Sequence, residues 1–140
     1  MKLKVLIACA LALTLAVAPS VAKGKKSHAK TSNTQVIYTG DLGKKIYGYN
    51  GTTPLNIHIK DGRIERIEAL PNKETPQYFK RATTKIFPQY EGKTIEEARR
   101  LHVDAVTGAT YSSEAIIKNI KLGLEQAASS SSKGKKGKKK

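Results

Sequence analysis

Residues 55–70 read Leu-Asn-Ile-His-Ile-Lys-Asp-Gly-Arg-Ile-Glu-Arg-Ile-Glu-Ala-Leu. Leu55, Ile57 and Ile59 alternate with Asn56, His58 and Lys60, the period-2 pattern of a strand buried on one face. Asp61-Gly62 is the residue pair that a two-residue hairpin turn favours, and residues 63–70 supply the return strand. The alternation slips there. Ile64 and Ile67 stand three apart, so a bulge or twist is expected in that strand. Upstream, residues 35–39 and 45–49 are two further short β-rich runs, the second with Tyr47 and Tyr49 on one face, and they complete a meander. Downstream the period changes. After a loop bracketed by Pro71 and Pro76, residues 77–85 form a short helix bearing Tyr78, Phe79 and Ala82, ended by Phe87-Pro88. Thr94 with Glu97 three positions on is a capping box that opens another short helix. Ile116, Ile120, Leu124 and Ala127, supported by Ile117, make the apolar stripe of a longer helix over residues 112–128. Strands followed by helices predict an α+β fold, a small antiparallel sheet packed against helices.

The longest helix begins after an unusual turn. Residues 104–113 read Asp-Ala-Val-Thr-Gly-Ala-Thr-Tyr-Ser-Ser. Four hydroxyls (Thr107, Thr110, Ser112 and Ser113) gather there, and Gly108 lets the backbone take a shape that a β-carbon resists. A helix start presents unpaired N–H groups and a partial positive charge, which suit a phosphate. The same residue types also serve as ordinary helix caps. Asp104 is placed to accept hydrogen bonds from the turn's backbone, as Asx turns do.

The pattern Asp104-x-x-Thr107-Gly108-Ala109-Thr110 resembles the flavinylation motif of the FMN-binding domain family. That family includes the flavin-carrying subunits of the sodium-pumping NADH:quinone reductase and Rnf complexes. Gly48-Tyr49-Asn50-Gly51, Asp61-Gly62-Arg63-Ile64 and Glu74-Thr75-Pro76 fall in the family's order and rough spacing. The resemblance covers about residues 45–128, with one departure: Gln77 stands where the family often has Gly. It implies covalent FMN, held as a phosphoester on Thr110 and installed outside the cytoplasm by an FAD-dependent flavin transferase that uses magnesium. It implies too that Asp104 is part of what the transferase reads, with Thr107, Gly108, Ala109, Ser112 and Ser113 around the phosphate. Glu74 and Thr75 would then lie in a loop that approaches the polar edge of the flavin ring.

The ends of the chain carry different information. Lys2 and Lys4 precede a nearly continuous apolar run over residues 5–18, and Ser20-Val21-Ala22 is a small-residue cleavage site; residues 1–22 read as a secretory signal. The apolar run is shorter than the roughly 20 residues that span a bilayer. Cleavage after Ala22 would remove Cys9, the only cysteine, and with it any disulfide or thiolate chemistry. The expected location is the periplasm or the extracellular face of the cell membrane. The formal charge of +15 is concentrated in two arms. Ten lysines lie in residues 23–34 and in the Ser/Lys/Gly-rich tail over 129–140, whereas residues 31–132 hold 14 basic and 11 acidic groups. Both arms are expected to be disordered, leaving residues 35–128 as the domain. They fit an anionic membrane or an acidic protein partner. Without stacking aromatics they do not fit nucleic acid.

His28, His58 and His102 share no metal-ligand spacing. The chain offers no acid–base pair and little room for a substrate beside a flavin. These features favour an electron carrier between extracytoplasmic partners over an independent enzyme. The alternatives are a small extracytoplasmic flavin reductase, or the detached flavin subunit of one, and a flavin-free polycationic envelope protein.

Overall fold

The computed structural model describes residues 32–134. The expected signal segment, most of the N-terminal arm and residues 135–140 lie outside the described residues. Three strands, β1 (Thr34–Tyr38), β2 (Leu55–Lys60) and β3 (Arg63–Ala69), form one antiparallel sheet in the order β1-β2-β3. Three helices follow: α1 (Pro76–Tyr90), α2 (Ile95–Arg100) and α3 (Thr110–Gly134). The domain is α+β, as the alternation of periods predicts. Among the described residues, no helix is long and apolar enough to cross a membrane.

The β2–β3 hairpin turns through Asp61 (φ 50°) and Gly62 (φ 78°), the two left-handed residues that match a two-residue loop to the strands' twist. The expected bulge is present. His58 pairs with Arg66 and Ile59 with Ile64, so Glu65 is the extra residue. That slip keeps both Ile64 and Ile67 on the buried face although they stand three apart. Their partners on that face are Ile37, Leu55, Ile57 and Ile59.

The sheet's apolar face packs on α1 and α3. Phe79, Ala82, Ile86 and Tyr90 come from α1, and Ile116, Ile120, Leu124 and Ala127 from α3, all in one core cluster. Each fully buried Ile or Leu contributes about 1.5–3 kcal/mol. At Gly123 α3 approaches the sheet closely: an added β-carbon would stand 2.6 Å from Ile57 Cδ1 and 3.2 Å from Thr39 Cγ2. The capping box of α2 is formed as expected, with Thr94 Oγ1 accepting from the Glu97 N–H and the Glu97 carboxylate accepting from the Thr94 N–H.

Three expectations need correction. Residues 45–49 are not a strand. They belong to a turn-rich loop closed by a single bridge between Tyr47 and Thr52 and by the Gly48 N–H bonding Gly51 O at 2.7 Å. Second, α1 runs through Pro88 to Tyr90 instead of ending at Phe87-Pro88. Pro88 removes only one donor, in the last turn, while buried Ile86 and Tyr90 hold that turn to the core. Third, α3 passes residue 128 and carries Ser129–Ser132 as helix, not as the start of a disordered tail. Those serines bond back to carbonyls three or four residues earlier, which satisfies their hydroxyls without tertiary contact. Their exposure agrees with a segment that has no apolar group to bury.

Candidate functional site

The turn before α3 is built by its own backbone. Ala109 N–H donates to Val106 O at 2.9 Å, with Thr107 and Gly108 at the corner and Gly108 at φ 81°, where side chains are strained. The Ser113 hydroxyl, fully buried, accepts from Val106 N–H at 3.1 Å and ties the turn to the helix it opens. Asp104 gives no such support. Its side chain is 91% exposed, and its carboxylate lies 3.2 Å from His102 Nε2. The backbone turn and Ser113 take the part that an Asx turn was expected to play.

Thr110 is the first residue of α3, so its N–H and those of Tyr111 and Ser112 have no carbonyl one turn earlier in the helix. The hydroxyls divide by role. Ser112 is buried and donates to the Glu74 carboxylate, and Ser113 holds the turn. Thr107 and Thr110 are exposed, but only Thr110 lines a cavity of about 400 Å³ at the helix start. Gly108, Ala109 and Ser112 form the same wall.

Glu74 and Thr75 line the same cavity. Glu74 is only 5% exposed, and four donors occupy its carboxylate. Oε1 accepts from the N–H groups of Asn50 (2.7 Å) and Gly51 (3.2 Å), and Oε2 from Tyr49 N–H (3.2 Å) and the Ser112 hydroxyl. Three successive backbone N–H groups thus make an anion nest that the protein fills with its own side chain. A β-carbon on Gly48 would stand 2.8 Å from that carboxylate, so glycine is what lets the loop close on it. Burial alone would raise the Glu74 pKa. The hydrogen bonds from Ser112, Asn50, Tyr49 and Gly51 outweigh it and hold the group below the ordinary carboxylate value. Glu74 is therefore a clamp joining the 48–51 loop to α3, with its lone pairs committed within the protein. Thr75 differs. It precedes Pro76 at the start of α1 without capping that helix, and its hydroxyl accepts from Asn50 Nδ2 at 3.2 Å. Its own proton is free to point into the cavity.

Sequence reading missed the aromatic walls. Tyr49, Tyr78 and Tyr111 line the cavity, and the rings of Tyr49 and Tyr111 stand 6.1 Å apart, tilted by 46°. Tyr49 is 73% and Tyr111 65% exposed, so both leave ring faces open. The signal was present: Tyr49 lies within a motif, Tyr111 follows Thr110 and Tyr78 stands two residues beyond Pro76, but only the fold shows that the three motifs meet. The cavity volume falls in the range of small-molecule and cofactor sites. Anion-seeking N–H groups and a free hydroxyl at one end, with aromatic faces and the Thr75 hydroxyl beside them, fit a planar ring carrying a phosphate.

The model of the FMN-binding domain matches residues 48–125, more than half of the chain. The chain belongs to the FMN-binding domain family. The match begins at the loop that Glu74 clamps and ends on α3, so it takes in every wall of the cavity. No curated protein matches the chain significantly.

Proposed function

We propose that this FMN-binding domain carries its flavin covalently, as a phosphoester on Thr110, and works as an exported electron carrier. The observation that carries the reading is the separation of the two exposed threonines of the turn, of which Thr110 alone stands in the cavity wall, at the start of α3. There the phosphate would meet the unpaired N–H groups and the positive end of the helix. In the attachment reaction the Thr110 oxygen would form a bond to the FMN phosphorus of FAD, the pyrophosphate bond would break, and AMP would leave. The Thr110 proton would pass to a base of the flavin transferase. Ser112 and Ser113 would hold the helix start in place, and Thr75 would donate toward the ring's polar edge. Once bound, FMN supplies reversible one- and two-electron chemistry. The protein contributes orientation and a partly dry, aromatic surrounding.

The signal-like first 22 residues support a location outside the cytoplasm, where such a transferase works. The lysines of the two arms support attraction to an anionic membrane or an acidic donor or acceptor protein. Co-expression with a flavin transferase, followed by intact-mass measurement, tests the assignment. The chain should gain one FMN moiety, Thr110→Ala should gain none, and Thr107→Ala should still gain one. Addition that survives Thr110→Ala, or is lost in Thr107→Ala with the fold intact, would refute it.

A further inference from the structure

Arg81 lies one turn beyond Tyr78 on α1. Its guanidinium carbon stands 5.9 Å from the centre of the Tyr78 ring, within cation–π range. Its Nη1 is 3.0 Å from the point that a β-carbon on Gly108 would occupy. Tyr78 and Gly108 both belong to the cavity wall, so the guanidinium rests against the turn that leads to Thr110. Six ion pairs among the described residues join other Lys, Arg and His side chains to acids, and a seventh joins Arg66 to Glu68. None involves Arg81. A long cation thus lies over an aromatic ring and, among the described residues, has no acid partner, beside the turn that leads to Thr110. The planar fork of a guanidinium matches a phosphate better than any other side chain does.

We propose that Arg81 is a phosphate ligand of this site. It pairs with the flavin's phosphate at the start of α3, and so makes the cavity favour a phosphorylated flavin over riboflavin. The proposal rests on the flavin reading above, and it adds a specificity-determining residue that the turn motif does not contain. Tyr78 acts through Arg81 as its platform, and Gly108 leaves the space in which the guanidinium lies.

The test uses the full chain produced without a flavin transferase, titrated separately with FMN and riboflavin by flavin fluorescence. The unmodified chain should bind FMN more tightly than riboflavin. Arg81→Gln should weaken FMN by at least about tenfold, the scale of one charge-assisted hydrogen bond, and leave riboflavin within about twofold. Arg81→Lys, which keeps the charge but loses the fork, should fall between. Riboflavin is the internal control for folding and for the ring's surroundings. An unchanged FMN-to-riboflavin ratio in Arg81→Gln, equal weakening of both flavins, or no FMN preference in the parent chain would each overturn the proposal. If the parent chain gains FMN from a transferase but shows no preference, only Arg81 loses its role. If it gains none and binds neither flavin, the covalent flavin reading falls as well.

Discussion

Replacing Glu74 by Gln tests the clamp with almost no change of shape. The carboxylate takes two backbone donors on Oε1 and one backbone donor plus the Ser112 hydroxyl on Oε2. Glutamine keeps one oxygen. If that oxygen faces Asn50 and Gly51, its NH₂ group faces the Tyr49 N–H, donor against donor, while Ser112 can turn to accept. One charge-assisted bond worth about 1.5–3 kcal/mol disappears, and the two that remain become neutral and weaker. The Tyr49 N–H then lacks a partner, at the low end of about 1–3 kcal/mol because the loop is exposed. A loss near 3 kcal/mol at pH 7 follows, or about 10–20 °C in Tm for a domain of this size. The pH dependence gives the sharper check. The folded Glu74 pKa is lowered from 4.5, so its stabilising effect is complete above that value and fades as pH falls through the lower folded value. The glutamine side chain does not titrate. Urea unfolding followed by circular dichroism should thus show the largest gap between parent and variant above pH 4.5 and a narrowing gap below it. A loss under about 0.5 kcal/mol at pH 7, well short of one charge-assisted bond, or a gap independent of pH, would refute the clamp.

Gly123→Ala gains about 1 kcal/mol of helix propensity but drives a methyl against the fully buried Ile57. Overpacking costs about 1–3 kcal/mol, so chemical denaturation should show a net loss near 1 kcal/mol, and a gain would mean that helix and sheet part freely. Thr75→Val keeps the shape of the loop but removes the hydroxyl that faces the cavity and accepts from Asn50. FMN attachment, read by mass, should be unchanged while the flavin absorption maximum or reduction potential shifts; an unaltered spectrum and potential would place the ring away from Thr75.

The hairpin, its bulge, the capping box and the main helix were legible because each is a local pattern. Period, turn residues and cap spacing all lie within a few positions of one another. What failed depended on distant partners. Residues 45–49 have the composition of a strand, yet the carboxylate of Glu74, 23–25 positions away, captures the N–H groups that follow and bends them into a nest. Pro88 stays helical because the core holds the residues on both sides of it. Asp104 was given a structural role by its type, but Ser113, seven residues beyond Val106, takes that role. The site was half legible. The motifs named Thr110, Gly108 and Thr75, which line the cavity, whereas Glu74 has its carboxylate committed as a clamp. The three tyrosines came into view only once the chain was folded, since a shared cavity is not a property of linear sequence.

Helix α3 begins at the cavity with Thr110 and approaches the sheet closely at Gly123. Thirteen residues of helix separate the two, about 20 Å of stiff rod. The helix is held along its length by Ile116, Ile120, Leu124 and Ala127, and in a densely packed interior a shift at one of its contacts is not absorbed locally. The position of the threonine oxygen is thereby gauged against the sheet by a glycine with no place in the cavity. Engineering the position of that oxygen can therefore begin at Gly123, about 20 Å away along the helix.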